Sequence, residues 1–456
     1  MSLPVTLVFD IGKTTKKIVV FDNDFHVIEE QTAHFPEIKD DDGFPEEDLE
    51  SVTDWATRML NEYLQHPGYQ VTHVNFSAYG ASMVHLNHNG KAIRPFINYL
   101  KPFPPELKER FFENYDKGNG ICQTTASPYL GLLNSGLHLY WLKYQKPDVF
   151  RSISTSLHFP QYFSALLTNQ RTADITSVGC HTMLWNFATN DYHEWVDKED
   201  VRKFFPTIYN TDKTIDHKFG NVKVKVGIGV HDSSAALMPY LVVMKEKFLL
   251  LSTGTWNICF NPFNHKLLTK NELSQDCLCY MTFDGKPVKA SRIFLGHEHE
   301  LQQKALASYF KVGPDDYKTI EFNEKLYEDI STAKTFEFAP LGMQGTGPHL
   351  PEAQAATEYN LLRSFEEGQH QLVRQLVRWQ KISIDLLDPD FNVENIIVVG
   401  GFTKSNLFLQ IMKRELPKRK ILLSDHPRAT ALGAAWLVRG KESYADKKSL
   451  LNVIPA

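Results

Sequence analysis

Two segments of the chain repeat one arrangement of residues that suits the gripping of a phosphate. The first is VTLVFDIGKTTKKIVVFD, from Val5 to Asp22, and the second is FLLLSTGTWNICFN, from Phe248 to Asn261. Each runs from an apolar strand through a polar residue (Asp10 or Ser252) and a glycine two positions on (Gly12 or Gly254) into a second strand. A glycine in such a turn lets backbone N–H groups approach an anion with no Cβ in the way. Asp10 is the residue type to hold Mg²⁺ beside the phosphates, with Lys13, Thr14, Thr15 and Lys17 as further contacts to them. A third group, Asp232, ends the turn Gly227-Ile-Gly-Val-His-Asp232 and leads into the helical run SSAALMPYL. An aspartate there can take the proton of a hydroxyl nucleophile, or it can simply cap the helix; residue type and position weigh the two evenly. His231 beside it is either a hydrogen-bond partner for a substrate hydroxyl or a packing ring.

The elements that must position these groups follow from periodicity. Residues 5–30 read as a three-stranded meander, and a helix is expected from about Pro45 to His66. Two strands follow around Tyr79-Gly80, then a proline-rich loop from Arg94 to Pro105, then mostly helical sequence from Ser135 to Phe205. A second meander opens at Lys247, and a long helix spans about Glu358 to Leu387, with Leu362, Phe365, Leu372, Leu376, Trp379, Ile382 and Leu386 on one face. The end reads strand, Gly400-Gly401 turn, helix, strand, helix. A double glycine opening a helix suits an adenosine site, because backbone can lie flat against a large ring. Strands alternating with helices in both halves give an α/β protein, and the antiparallel hairpins imply mixed sheets. The division falls between Pro239 and Lys247, with domains at 1–243 and 244–456.

Two nucleotide motifs are excluded. A Walker A loop needs a glycine where Leu7 stands and a helix where strand follows Gly12-Lys13-Thr14. GIGVHD has Asp232 in place of the third glycine of GxGxxG. His297-Glu-His-Glu300 lacks HExxH spacing and reads as a helix start.

At 456 residues the chain needs more than one core. With 49 Lys and Arg against 54 Asp and Glu, the charge of −5 points to neither nucleic acid nor an acidic membrane surface. No leader and no 18-residue apolar span is read, and five scattered cysteines fit a reducing compartment, so a cytoplasmic protein is expected. Cys277 and Cys279, the one close pair, are expected to be structural thiols.

Four motifs in order resemble those of the FGGY carbohydrate kinases: Asp10-Ile-Gly-Lys-Thr-Thr-Lys-Lys17, Gly229-Val-His-Asp-Ser-Ser234, Leu251-Ser-Thr-Gly-Thr-Trp256 and Val399-Gly-Gly-Phe-Thr-Lys-Ser-Asn406, with Ala429–Ala435 similar to the family's closing helix. The resemblance implies two RNase H-like domains of the actin/hexokinase/Hsp70 superfamily, each with a mixed five-stranded sheet, with ATP and sugar in the cleft between them. It implies Asp232 as general base and a sugar held by Gly80, His231, Ser233 and, in place of the family's Trp-x-Asp-x-Arg motif, Asn98 and Tyr99. It implies ATP contacts from Gly12, Lys13, Thr14, Thr15, Lys17, Thr253, Gly254, Thr255, Gln302, Gly400, Gly401 and Asn406, with Mg²⁺ on Asp10. The His-Asp pair and the Ser-Thr-Gly-Thr-Trp string are most similar to the rhamnulokinase and fuculokinase group. The expected substrate is therefore L-rhamnulose, L-fuculose or a similar deoxy-ketohexose; another ketose such as a ribulose, a non-catalytic sugar or ATP sensor, and a nucleotide switch are the alternatives. A homodimer is compatible with the family.

Overall fold

The computed structural model describes residues 2–116, 120–332, 336–343, 347–350, 356–424, 426, 428–444 and 448–456. The chain divides into two compact units. Unit 1 is Met1–Val243 with Cys279–Pro287 and Arg428–Leu451; unit 2 is Met244–Leu278, Val288–Pro427 and Asn452–Ala456.

Unit 1 is built on β1 (Leu3–Ile11), β2 (Lys16–Phe21), β3 (Val27–Ala33), α1 (Leu49–Gln65) and β4 (Tyr69–Ala78), followed by β5 (Thr214–Phe219), β6 (Val222–Gly227), β7 (Val230–His231) and α2 (Asp232–Val243). The sheet order is β5-β6-β4-β1-β2-β3, with β7 also on β4. β1 is parallel to β4 and antiparallel to β2, so the sheet is mixed. The run LPVTLVFDI is apolar on both faces because it is a central strand, buried from Val5 to Phe9. α1 begins at Leu49 rather than Pro45, because the Asp48 carboxylate accepts from the Ser51 N–H and sets the cap there. Its buried residues Val52, Trp55, Ala56, Met59, Leu60 and Tyr63 keep the helical period. The region after Pro105 is largely helical around a second core that includes Phe111, Tyr140 and Trp195.

Unit 2 carries β8 (Phe248–Thr253), β9 (Asn257–Asn261), β10 (Pro287–Ile293), α3 (Phe365–Leu387), β11 (Asn395–Gly400), α4 (Asn406–Glu415) and β12 (Lys420–Ser424). After β12 the chain forms α5 (Ala429–Arg439), which packs in unit 1 against α2, and then β13 (Val453–Pro455). Within the unit the strands run β10-β9-β8-β11-β12-β13. β8 is antiparallel to β9 and parallel to β11, which repeats the β2-β1-β4 arrangement of unit 1. α3 starts at Phe365 and not Glu358: Ser364 caps it by accepting from the Glu367 N–H, and Tyr359–Leu361 make a separate 3₁₀ turn. Among the described residues the sheet of unit 1 has seven strands and unit 2 contributes the six named above to its own, where five were expected. The added strands of unit 1 are polar or short: TIDHKF alternates exposed charge with one buried Ile215, and Val230–His231 is only two residues.

Candidate active site

In unit 1 the strand register brings the Gly12–Thr15 turn together with Asp232. Asp10 pairs with Lys17 across β1 and β2 and with Ser77 across β1 and β4. The turn closes through the Gly12 N–H donating to the Thr15 carbonyl at 3.0 Å, with Thr14 exposed at its tip. Burial pushes the Asp10 carboxyl up to about 7, the negative charge of Asp232 adds to the rise, and Lys17 offsets part of it. Burial likewise raises Asp232 to about 6, against hydrogen bonds from Ser233. Two carboxylates that disfavour each other's charge, with one lysine close to Asp10, suit a divalent cation.

The folded-state pKa of Asp10, about 7, lies above its ordinary value of 3.8, so stability falls as pH rises through that window and the full cost is present above it. Asp10→Asn should therefore raise the apoprotein's Tm by about 2–6 °C at pH 8 in metal-free buffer, with little effect below pH ~4. A Tm unchanged at pH 8 would show that Asp10 is not strained by its surroundings.

The turn that carries Asp232 is held from three sides. Asn75 accepts from the Gly229 N–H at 3.2 Å and donates to the Ala434 carbonyl at 2.8 Å. Gln161 donates to the Gly229 carbonyl at 3.0 Å, and the His231 N–H donates to Thr176 Oγ1 at 3.1 Å. Asp232 keeps 34% of its side chain exposed, and its Oδ1 accepts from the Ser233 N–H and hydroxyl. Ser233 thus orients the carboxylate as it stands, and a sugar contact from it would compete with that bond. His231 is buried, and burial holds its pKa down at about 3, so it is a neutral ring at ordinary pH. Its Nε2 lies 3.5 Å from Asp232 Oδ1 and 3.2 Å from Cys180 Sγ.

Gly80 meets His231 directly. A Cβ built on Gly80 would fall 2.4 Å from His231 Nε2 and 2.8 Å from its Cδ2. The glycine is needed because the ring occupies the space where a side chain would begin. Gly80→Ala should displace His231 and lower kcat/KM for the sugar by about 10–10²-fold while leaving the KM for ATP nearly unchanged. Equal loss for both substrates would mean that the strand, not the ring, had moved.

The remaining sugar candidates separate. Tyr99 is edge-on to Tyr79 at 6.3 Å, and its phenol is raised by burial, then by Glu37 and Asp232. Asn98 is a loop brace: its amide donates to the Pro45 carbonyl at 2.9 Å, and its Oδ1 accepts from the Leu100 N–H. Lys13 pairs with Glu37 at 2.7 Å and lies about 6 Å from the Tyr79 and Tyr99 rings. Lys17 stays on the Asp10 face, 3.8 Å from Glu30. The residue that braces the Gly12–Thr15 turn is Lys16, buried on the opposite face, whose ammonium donates to the Lys13 carbonyl at 3.0 Å and pairs with buried Glu47. Glu47 also accepts from the Tyr79 hydroxyl.

In unit 2 the second glycine turn and the double glycine share one anchor. The Thr253 hydroxyl donates to the Val399 carbonyl at 2.6 Å and accepts from the Phe402 N–H at 3.1 Å. Gly400 has φ +92°, and a Cβ there would meet the Thr253 carbonyl at 2.0 Å, so no other residue fits without shifting backbone. Gly254 and Thr255 are exposed, with the Gly254 N–H donating to Asn257. Gly401 is exposed at the start of a 3₁₀ turn. Asn406 is exposed at the first position of α4 and donates to Glu321 at 2.6 Å. Gln302 does not join them at an open surface: it is fully buried, and its amide donates to Glu298 and to the Ala339 carbonyl. Glu298 in turn accepts from the Leu341 and Gly342 N–H groups, so Gln302 stiffens that loop. The loop's continuation at 344–346 lies outside the described residues.

Sequence profiles for known families match both halves: "FGGY family of carbohydrate kinases, N-terminal domain" over residues 5–238 and "Carbohydrate kinase FGGY, C-terminal domain" over 245–447. Among curated proteins, the L-fuculokinase of Haemophilus influenzae is 24% identical over 468 residues, covering 95% of this chain and 94% of its own. The rhamnulokinase of Halalkalibacterium halodurans is 21% identical over 408 residues, covering 84% and 83%. Among solved structures, a carbohydrate kinase from Novosphingobium aromaticivorans superposes with a TM-score of 0.80 at 23% identity, covering 96% of this chain and 92% of that one. Among the described residues no helix is long and apolar enough to cross a membrane.

Proposed function

Since this chain belongs to the FGGY family of carbohydrate kinases, and is therefore a phosphotransferase that uses ATP, we propose that it phosphorylates a terminal hydroxyl of a deoxy-ketohexose of the L-rhamnulose or L-fuculose type. The observation that carries this reading is Asp232: a carboxylate held near 6, partly open, on a turn braced from three sides, beside a neutral His231. In the reaction the hydroxyl oxygen bonds to the γ-phosphorus, its proton passes to Asp232, and the bond to the β,γ-bridging oxygen breaks to release ADP. A base near 6 is mostly ionised at pH 7 and still basic enough to accept a proton in the transition state. His231 orients a neighbouring sugar hydroxyl, and Tyr99 closes the sugar's other side. Asp10 would hold Mg²⁺, which supplies charge neutralisation for the transferring phosphoryl group. The Gly12–Thr15 turn takes the phosphates, with Lys16 fixing its shape from below. Residues 1–243 form the domain of the phosphate turn and sugar, and 244–456 the domain of the second turn and the adenosine; α5 belongs to the second by sequence and packs with the first. In that second domain Thr253, Gly254, Thr255, Gly400 and Gly401 contact ATP.

The deoxy-ketohexose assignment draws on the two relatives named as fuculokinase and rhamnulokinase, and on the family resemblance, which implies Asn98 and Tyr99 in place of the Trp-x-Asp-x-Arg motif. The test is ADP release with Mg-ATP across a panel of ketoses, aldoses and polyols. Turnover fastest on L-rhamnulose or L-fuculose is expected. Preference for a ribulose would move the assignment to that ketose, and ADP release unaffected by every sugar would overturn the kinase reading in favour of a sensor or switch.

A further inference from the structure

A thiol and two imidazoles from two stretches of unit 1 meet beside the base. Cys180 and His181 follow the short helix Ile175–Val178, and His231 ends β7. Cys180 Sγ and one nitrogen each of His181 and His231 all lie within 4.8 Å of one another. All three residues are buried, at 1%, 8% and 3% exposure. His231 Nε2 and Cys180 Sγ are already 3.2 Å apart. Around a tetrahedral Zn²⁺, with Zn–S about 2.3 Å and Zn–N about 2.0–2.1 Å, donors stand about 3.4–3.7 Å from each other. An inward shift of about 1 Å by one imidazole would therefore seat an ion on all three.

The geometry points to a binding site for a thiophilic cation of the Zn²⁺ type at Cys180, His181 and His231, and occupancy of that site blocks the reaction. One thiolate with two imidazoles is a donor set that selects such ions over Mg²⁺, which prefers oxygen and several waters. It is thus chemically distinct from the carboxylate site at Asp10. On binding, the Cys180 thiol releases its proton to solvent and the thiolate bonds to the metal, so one proton appears per ion bound. The metal takes His231 Nε2, the atom 3.5 Å from Asp232 Oδ1. The imidazole is then unavailable to a sugar hydroxyl, and a positive charge beside Asp232 lowers its basicity. The binding stands on the cluster alone; the inhibition rests on the reading of Asp232 as the base.

Co²⁺ is a probe that separates these two claims. Titrating it into the full chain under reducing conditions should produce a thiolate-to-cobalt charge-transfer band together with the intense visible bands of tetrahedral coordination. Zn²⁺ should displace it at one equivalent. Cys180→Ser should remove the charge-transfer band, and His181→Ala should weaken Zn²⁺ binding by at least about 10-fold. In the assay, Zn²⁺ should inhibit competitively with sugar and not with ATP, be reversed by chelator, and lose at least about 10-fold in potency in both variants. No thiolate band in the parent chain would overturn the site whether or not any sugar is turned over. A normal band with undiminished turnover would overturn the inhibitory role, and inhibition equally potent in both variants would place the inhibiting ion elsewhere.

Discussion

Replacing Asp232 by asparagine is expected to lower kcat by about 10²–10⁴-fold while leaving the fold and ATP affinity close to the parent's. The amide keeps the size of the side chain, and its oxygen can still accept from the Ser233 N–H, so the turn has no reason to move. What disappears is the proton acceptor. The parent enzyme should show the same dependence as a pH effect. As the proposed base, Asp232 must be ionised, so kcat/KM should fall as pH drops through about 6. Removing the Asp232 charge also removes one cause of the Asp10 shift, so the stability gain from Asp10→Asn should shrink in the Asp232→Asn background. An Asp232→Asn enzyme that keeps more than about a tenth of the parent kcat would leave this residue only its bonds to Ser233.

The parts of the site legible in the sequence are those whose chemistry resides in one short segment. The strand-turn-strand around Gly12, its copy around Gly254, and the turn ending in Asp232 each carry their own periodicity and glycine pattern, and the structure places them in the mixed sheets anticipated for them. What was not legible depends on which face a side chain takes and on partners far along the chain. Lys16 and Lys17 are adjacent letters. The register sets Lys17 opposite Asp10 and Lys16 opposite Ile11, which sends one beside that aspartate and the other into the core. Strand alternation could have revealed that Lys16 points inward, but nothing near it names Glu47 as its partner. Asn75 was a visible anomaly, a polar residue in the buried run VTHVNFSA, yet its bonds to Gly229 and Ala434 reach 154 and 359 residues away. Cys180 and His181 gave no signal, because a cysteine followed by a histidine in a helical region is unremarkable until β7 sets His231 beside them. Gln302, which the family resemblance put among the ATP contacts, is buried, and its amide donates to Glu298 and to the Ala339 carbonyl.

Lys16→Met should be the most destabilising single substitution near the site, at about 3–5 kcal/mol, the cost of leaving a buried charge without its partner. Lys16 and Glu47 have side-chain exposures of 2% and 4%, so water can replace neither. The loss should spread in two directions. The Lys13 carbonyl loses the ammonium that holds the phosphate turn, so the KM for ATP should rise in whatever protein remains folded. The Tyr79 hydroxyl is left bonded to an unneutralised carboxylate, next to the Gly80 that packs on His231, so the sugar KM should rise as well. Lys16→Met combined with Glu47→Leu tests the account, because removing both charges removes the unpaired one. The double variant should recover most of the lost stability, seen as a urea midpoint returning toward the parent's. It should not recover ATP affinity, since the brace under Lys13 is still missing. Stability that stays low in the double variant would mean that shape at this position, and not charge pairing, is what the core requires; ATP affinity that returns with stability would remove Lys16 from the binding of phosphate.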